Sequence, residues 1–123
     1  ETLPIGQGDV QTVTGSTEAE NFVLDAEAAA ATTDDTQVDL ESFVTGQDSL
    51  QFNFNDQFIP TNADTLDDLD DVQLDAAGNQ VNVSANTITD QTTVTLGPDG
   101  DGDVIALNVL GVTDPSAVDV TVV

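Results

Sequence analysis

The chain has 123 residues, 24 of them Asp or Glu and none Lys, Arg or His, for a net charge of −24. No side chain can replace the counterions of a nucleic-acid backbone, and an anionic membrane surface repels such a chain. Cys and Tyr are missing too, so a Ser-His triad, a thiol nucleophile, a Schiff base and a zinc cluster are excluded.

The length fits one domain. Hydrophobic residues make up 38% of the chain, and many stand in alternating runs that mark a folded protein rather than a disordered acidic one. The charge then needs a counterweight from outside, either salt or bound cations. Calcium suits a chain whose only ligands are oxygens.

In chain order, residues 1–14 read as an N-terminal arm or edge strand, with strand character at 9–13 (D-V-Q-T-V). Residues 15–123 read as a single β domain. Within it, 21–25 (N-F-V-L-D) is a short buried strand, and 26–31 has helix propensity but is too short to be stable alone. Residues 36–43 alternate, with Val38 and Leu40 on one face, and 49–54 place Leu50, Phe52 and Phe54 inward. Thr45-Gly46-Gln47-Asp48 supplies the turn between them. Pro60 breaks any strand running through Phe58 and Ile59. Residues 62–71 form the one helix-like piece, capped by Asn62, with Leu66 and Leu69 three apart. Residues 72–74 and 80–84 suggest a hairpin around the turn at 76–79. Further strands are expected at 86–90, 92–96, 103–110 and 118–123. Eight to ten short strands with little helix predict an all-β, single-domain β-sandwich.

Two segments carry a family resemblance. Residues 15–24 (G-S-T-E-A-E-N-F-V-L) resemble the last, degenerate repeat of RTX-type (hemolysin-type) exported calcium-binding proteins. Residues 38–52 resemble the strand–turn–strand that follows such repeats, through Val38, Phe43, Gly46, Asp48, Leu50 and Phe52. The closing stretch from 99 is similar to C-terminal segments of large exported bacterial surface proteins, through Asp103, Ile105, Leu107, Gly111, Val112 and Asp119. About half the chain is covered. No tandem Gly-Gly-x-Gly-x-Asp nonapeptide is present, Glu20 replaces the usual Asp of the repeat turn, and Ser42 replaces the Asp before the matched Phe. The resemblance implies an exported, calcium-dependent class without supplying an activity.

The densest acidic turn is Gly97-Pro98-Asp99-Gly100-Asp101-Gly102-Asp103. Asp99, Asp101 and Asp103 can converge on one Ca²⁺ while the glycines turn carbonyls inward. The same residues also fit a polar hairpin turn chosen for its positive-φ glycines. Asp64, Asp67, Asp68, Asp70 and Asp71 form a second run, read first as a solvated acidic face. Paired carboxylates could suggest a glycosidase, but every acid competes equally for the role and few aromatics are available to stack a sugar. No enzyme activity is expected. Asn82-Val83-Ser84 is an acceptor sequon for N-linked glycan.

The composition suits export in bulk, and it offers no site to a protease that cuts after Lys or Arg. Glu1 rather than Met opens the sequence, which fits either processing or an arbitrary boundary. No stretch approaches the roughly 18 apolar residues of a spanning helix, so membrane insertion is not expected. The expected location is extracellular or at the cell surface, with a salt-loving cytoplasmic protein as the competing reading. The expected function is a structural subunit of an extracellular filament, sheath or surface layer, a homo-oligomer or polymer stabilised by Ca²⁺. Its joining strands would carry Val10 and Val13 at one end and Val118, Val120 and Val122 at the other. The alternatives are a calcium-binding adhesin or spacer module of a larger exported protein, and a soluble cation or mineral binder.

Overall fold

A computed structural model describes residues 3, 10–25, 35–53, 63–73, 80–97 and 104–122. Eight strands lie among them: β1 (Val10–Thr14), β2 (Asn21–Asp25), β3 (Thr36–Glu41), β4 (Ser49–Asn53), β5 (Val81–Asn86), β6 (Gln91–Leu96), β7 (Ile105–Leu110) and β8 (Asp119–Val122). Short 3-10 turns at Leu66–Leu69 and Pro115–Ala117 are the only helical pieces among the described residues. The protein is all-β, as its alternating runs predict. No helix among the described residues is long and apolar enough to cross a membrane.

The strands form two sheets, one in the order β1-β3-β7-β6-β5 and one in the order β2-β4-β8. The second sheet is wholly parallel. In the first, β1, β3 and β7 are parallel, while β6 and β5 add antiparallel. The chain therefore winds. β1 leads to β2 in the opposite sheet, β3 to β4 and β7 to β8, giving three stacked coils. The 45–48 turn lies where expected, but it is an arch between sheets and not a hairpin within one.

Alternation explains which side chains turn inward. β3 runs buried, half-buried, buried, half-buried, buried through Leu40, and β6 shows the same period of two. Across the first sheet, Val38, Leu107 and Val94 share one inward row. Phe22, Leu50 and Val120 share a row of the second. These rows meet in one core with Leu3, Leu66 and Leu69. Phe22 and Phe43 pack with ring centroids 6.1 Å apart.

Three local expectations change. Of residues 86–90 only Asn86 is strand, as the end of β5, and 87–90 form a turn: Asn86 Oδ1 accepts from the N–H groups of Ile88 and Thr89, at 2.9 and 3.2 Å. That side-chain bonding makes the tip of the β5–β6 hairpin and leaves Ile88 93% exposed. The helix-like segment contracts to Leu66–Leu69, which still buries both leucines, and Asp71 at φ 68 turns the chain away. Residues 42 and 43 fall outside β3 because Ser42 adopts φ 61, a left-handed conformation that cannot continue a strand. The expected features at 26–31, 58–60 and 76–79 lie outside the described residues, as does Asn62.

Candidate functional site

A two-sheet stack has four outer strands, β1 and β5 on one sheet and β2 and β8 on the other. Each presents a row of backbone groups that must be covered or left open. On β2, Leu3 N–H donates to Val23 O at 2.8 Å. On β8, Leu66 N–H donates to Val118 O at 2.9 Å and Val120 N–H donates to Asp64 O at 3.0 Å. On β5, Val81 N–H donates to Val72 O and Asp71 N–H to Val81 O, both at 2.8 Å. The Asp70 carboxylate takes the next outward N–H of that strand, from Val83 at 3.0 Å.

β1 differs. Among the described residues none bonds to its outer edge. In a parallel pair, alternate residues turn both backbone groups toward the same neighbour. Gly15 N–H donates to Glu41 O at 2.8 Å, so Gln11 and Val13 face β3 while Val10, Thr12 and Thr14 face the open side. The edge is also uncharged: β1 reads V-Q-T-V-T, whereas β2 and β8 contain Asp25 and Asp119 and β5 is guarded by Asp70. Charges on edges are a common defence against stray strand pairing, and β1 carries none.

β1 is held by its ladder to β3, and the turn that follows it is tied down by a carboxylate. Asp48 is only 1% exposed. Its Oδ1 accepts from Glu20 N–H at 2.9 Å and its Oδ2 from Val44 N–H at 2.8 Å. One side chain thus ties the arch at 15–20 to the arch at 42–48. Gln47 Nε2 adds a bond to Thr17 O at 2.9 Å. Gly15 permits this approach, because a Cβ there would lie 3.0 Å from Ser42 O. Between the two arches is a recess of about 440 Å³ lined by Ser16, Thr17, Ser42, Phe43, Val44 and Gln47 among others.

Asp48 belongs to a wider pattern. With no cation in the chain, several carboxylates are held by N–H and O–H donors. Asp35 Oδ1 accepts from Val104 N–H at 2.7 Å, and Asp114 Oδ1 accepts from Ser116 N–H at 3.1 Å. On the outer face of the first sheet, Asp39 Oδ1 accepts from Gln37 Nε2 and Asn108 Nδ2, each at 2.9 Å. Asn108 Oδ1 in turn accepts from Thr93 Oγ1 at 2.7 Å and Gln91 Nε2 at 3.1 Å. Charge-assisted bonds of this kind are stronger than neutral ones. The acidic run at 64–71 is more than a solvated face, since Asp70 guards β5 and Asp68 Oδ2 accepts from Thr65 N–H at 3.3 Å.

The residues singled out by sequence are scattered. Val10 is 64% exposed at the start of the open edge, while Val13 points inward and packs against the core. Val118 and Val120 are buried, and Val122 packs against the core beside them. Their strand pairs with β4 of its own chain. Asn82 is exposed on β5. Asp99, Asp101 and Asp103 lie outside the described residues. Among the described residues, no three His, Cys, Asp or Glu side chains are placed to hold one metal ion. Asp48 and Asp70 carry a turn and an acidic run in the sequence, and only the coil topology reveals what they bond. No protein-family model, curated protein or solved structure matches the chain.

Proposed function

We propose that this protein is a non-enzymatic structural subunit of an extracellular assembly, a filament, sheath or surface layer, joined through strand pairing. The observation that carries the reading is the asymmetry of the edges. Three outer strands meet the chain's own segments, and the uncharged β1 has no partner on its outer side among the described residues. Backbone pairing and apolar contact are the means by which chains of charge −24 can adhere, because no salt bridge between copies is available. Cations complete the proposal: calcium at Asp99, Asp101 and Asp103, or salt in bulk, lowers the repulsion between subunits. Export to the cell surface or medium, where calcium is plentiful, fits the same picture.

A spacer or adhesin module of a larger exported protein is the second reading, and the winding favours it. Thr14 bonds Glu41, 27 residues on, and Ser49 bonds Asn21, 28 residues back. The offset between these first two coils is constant, although the third coil lies 69 residues beyond the second, and a further coil of the first kind would stack against β1. Electron microscopy and sedimentation of the native material, with and without a calcium chelator, test the proposal. Regular particles or polymers are expected. Persistent monomers in millimolar calcium would overturn the assembly reading.

A further inference from the structure

We infer that Asn82 carries an N-linked glycan on the outer face of the five-stranded sheet, a reading that rests on the export proposed above and not on assembly. Sequons recur by chance, so the placement of this one decides. β5 runs buried, exposed, half-buried, exposed from Val81 to Ser84. Val81 and Val83 therefore turn to the core, while Asn82 and Ser84 share the solvent face, as a strand's period of two requires. The acceptor amide and the hydroxyl two residues on are the groups that define the sequon, and both stand on one exposed surface. Asn82 lies opposite Thr95 of β6, which also points outward, so a sugar can extend over the neighbouring strand without meeting the core.

The amide is also unengaged. Five asparagines lie among the described residues: 21, 53, 82, 86 and 108. Asn21 Nδ2 donates to Gln51 Oε1 at 2.9 Å, and Asn53 Oδ1 accepts from Gln51 Nε2 at 2.7 Å. Asn86 shapes the hairpin tip, and Asn108 bonds Asp39, Thr93 and Gln91. The Asn82 side chain bonds to none of the described residues, nor does the Ser84 hydroxyl. A sugar on Asn82 therefore displaces no contact of the fold. In the transfer, Asn82 Nδ2 forms a bond to the anomeric carbon of a polyprenyl-phosphate-linked oligosaccharide. The bond from that carbon to the phosphate oxygen breaks, and the phosphate leaves with the electron pair. A base of the transferring enzyme takes the amide proton. Once attached, the glycan adds bulk above β5, whose edge Asp70 already caps through Val83 N–H. Stray pairing there is opposed by charge within the sheet and by sugar over it.

The chain has no Lys or Arg, so cleavage before Asp is the useful digestion; it frees residues 75–89, which contain the sequon at Asn82 and no other. Mass spectrometry of that peptide from native, secreted material is expected to show the glycan on Asn82. Asn82→Gln and Ser84→Ala, produced in the same cell, are expected to return the peptide to the mass of its amino acids alone. Ser84→Thr keeps the hydroxyl of the sequon and is expected to stay glycosylated. All three substitutions fall on exposed side chains, so circular dichroism should match the parent's. Sugar on Ser84, Thr87 or Thr89 in place of Asn82, or a glycan that survives Ser84→Ala, would overturn the inference. An unmodified peptide from regular extracellular particles would overturn it too, and would leave the assembly reading intact. Glycosylated chains that stay monomeric would support the glycan and remove assembly.

Discussion

Replacing Asp48 by Ala tests how a chain without cations holds its coils together. The substitution leaves Glu20 N–H and Val44 N–H, 2.9 and 2.8 Å from the lost oxygens, without acceptors beside a side chain that is 1% exposed. A buried donor left unmet costs about 1–3 kcal/mol, so the pair should cost about 2–6 kcal/mol. Losing one negative charge relieves repulsion, but through screened surface neighbours this returns less than about 1 kcal/mol. The net loss is about 1–6 kcal/mol, and for a chain of this length each kcal/mol moves the melting temperature by about 4 °C, so a fall of about 4–24 °C is expected. Circular dichroism melting in about 0.5 M NaCl, where surface repulsion is screened, gives the measurement. Glu18→Gln, an exposed change of the same charge, serves as the reference. If Asp48→Ala melts within about 2 °C of that reference, the carboxylate does not staple the arches and the argument fails.

Other outcomes follow from the same contacts. Thr92 is buried and its Oγ1 donates to Val112 O at 2.7 Å, so Thr92→Val should lower stability in urea by about 1–2 kcal/mol despite its matched shape. With no intramolecular cation to screen, the melting temperature should rise as NaCl is raised from about 0.01 to 0.5 M; a fall would show that attractive charge pairs hold the fold. Asp70→Ala uncovers Val83 N–H on β5 and leaves that edge of the first sheet unguarded. Light scattering should then reveal species larger than those of the parent, and unchanged size would refute the guarding role of Asp70.

Much of the fold was legible in the sequence because burial in a sheet imposes a period of two. Val38 and Leu40, Leu50 and Phe52, and Val94 and Leu96 announce their strands this way, and all six are buried. Periodicity does not state which strands become neighbours. The parallel winding depends on β3 finding β7, with Asp39 bonded to Asn108 69 residues away, and no local pattern encodes that distance. Residues 86–90 show the opposite failure: N-T-I-T-D alternates like a strand, yet the Asn86 side chain wins the backbone donors and makes a turn. The terminal valines were recognisable as strand formers. Their difference in availability was not, because Val118 and Val120 are buried by partners distant in sequence. The Asp70 guard was hidden for the same reason, since an acid in a run of acids looks solvated until its N–H partner is placed.

The inserted hairpin has a consequence for how the molecule is made. β1 to β4 can wind as soon as they are synthesised, but the inner flank of β3 must wait for β7, and that of β4 for β8. Contacts that span so many residues carry a large loop-closure cost and form late. β5, β6 and β7, joined by antiparallel ladders close in sequence, can assemble first and dock as a unit. During that interval the half-made molecule bares the flanks of β3 and β4, and crowding of nascent chains would favour mispairing there. Asp39 and Glu41 sit on β3, and their mutual repulsion between unfinished chains would deter that mispairing until β7 arrives. The acidity that the finished protein must screen would thus help to keep its intermediates apart.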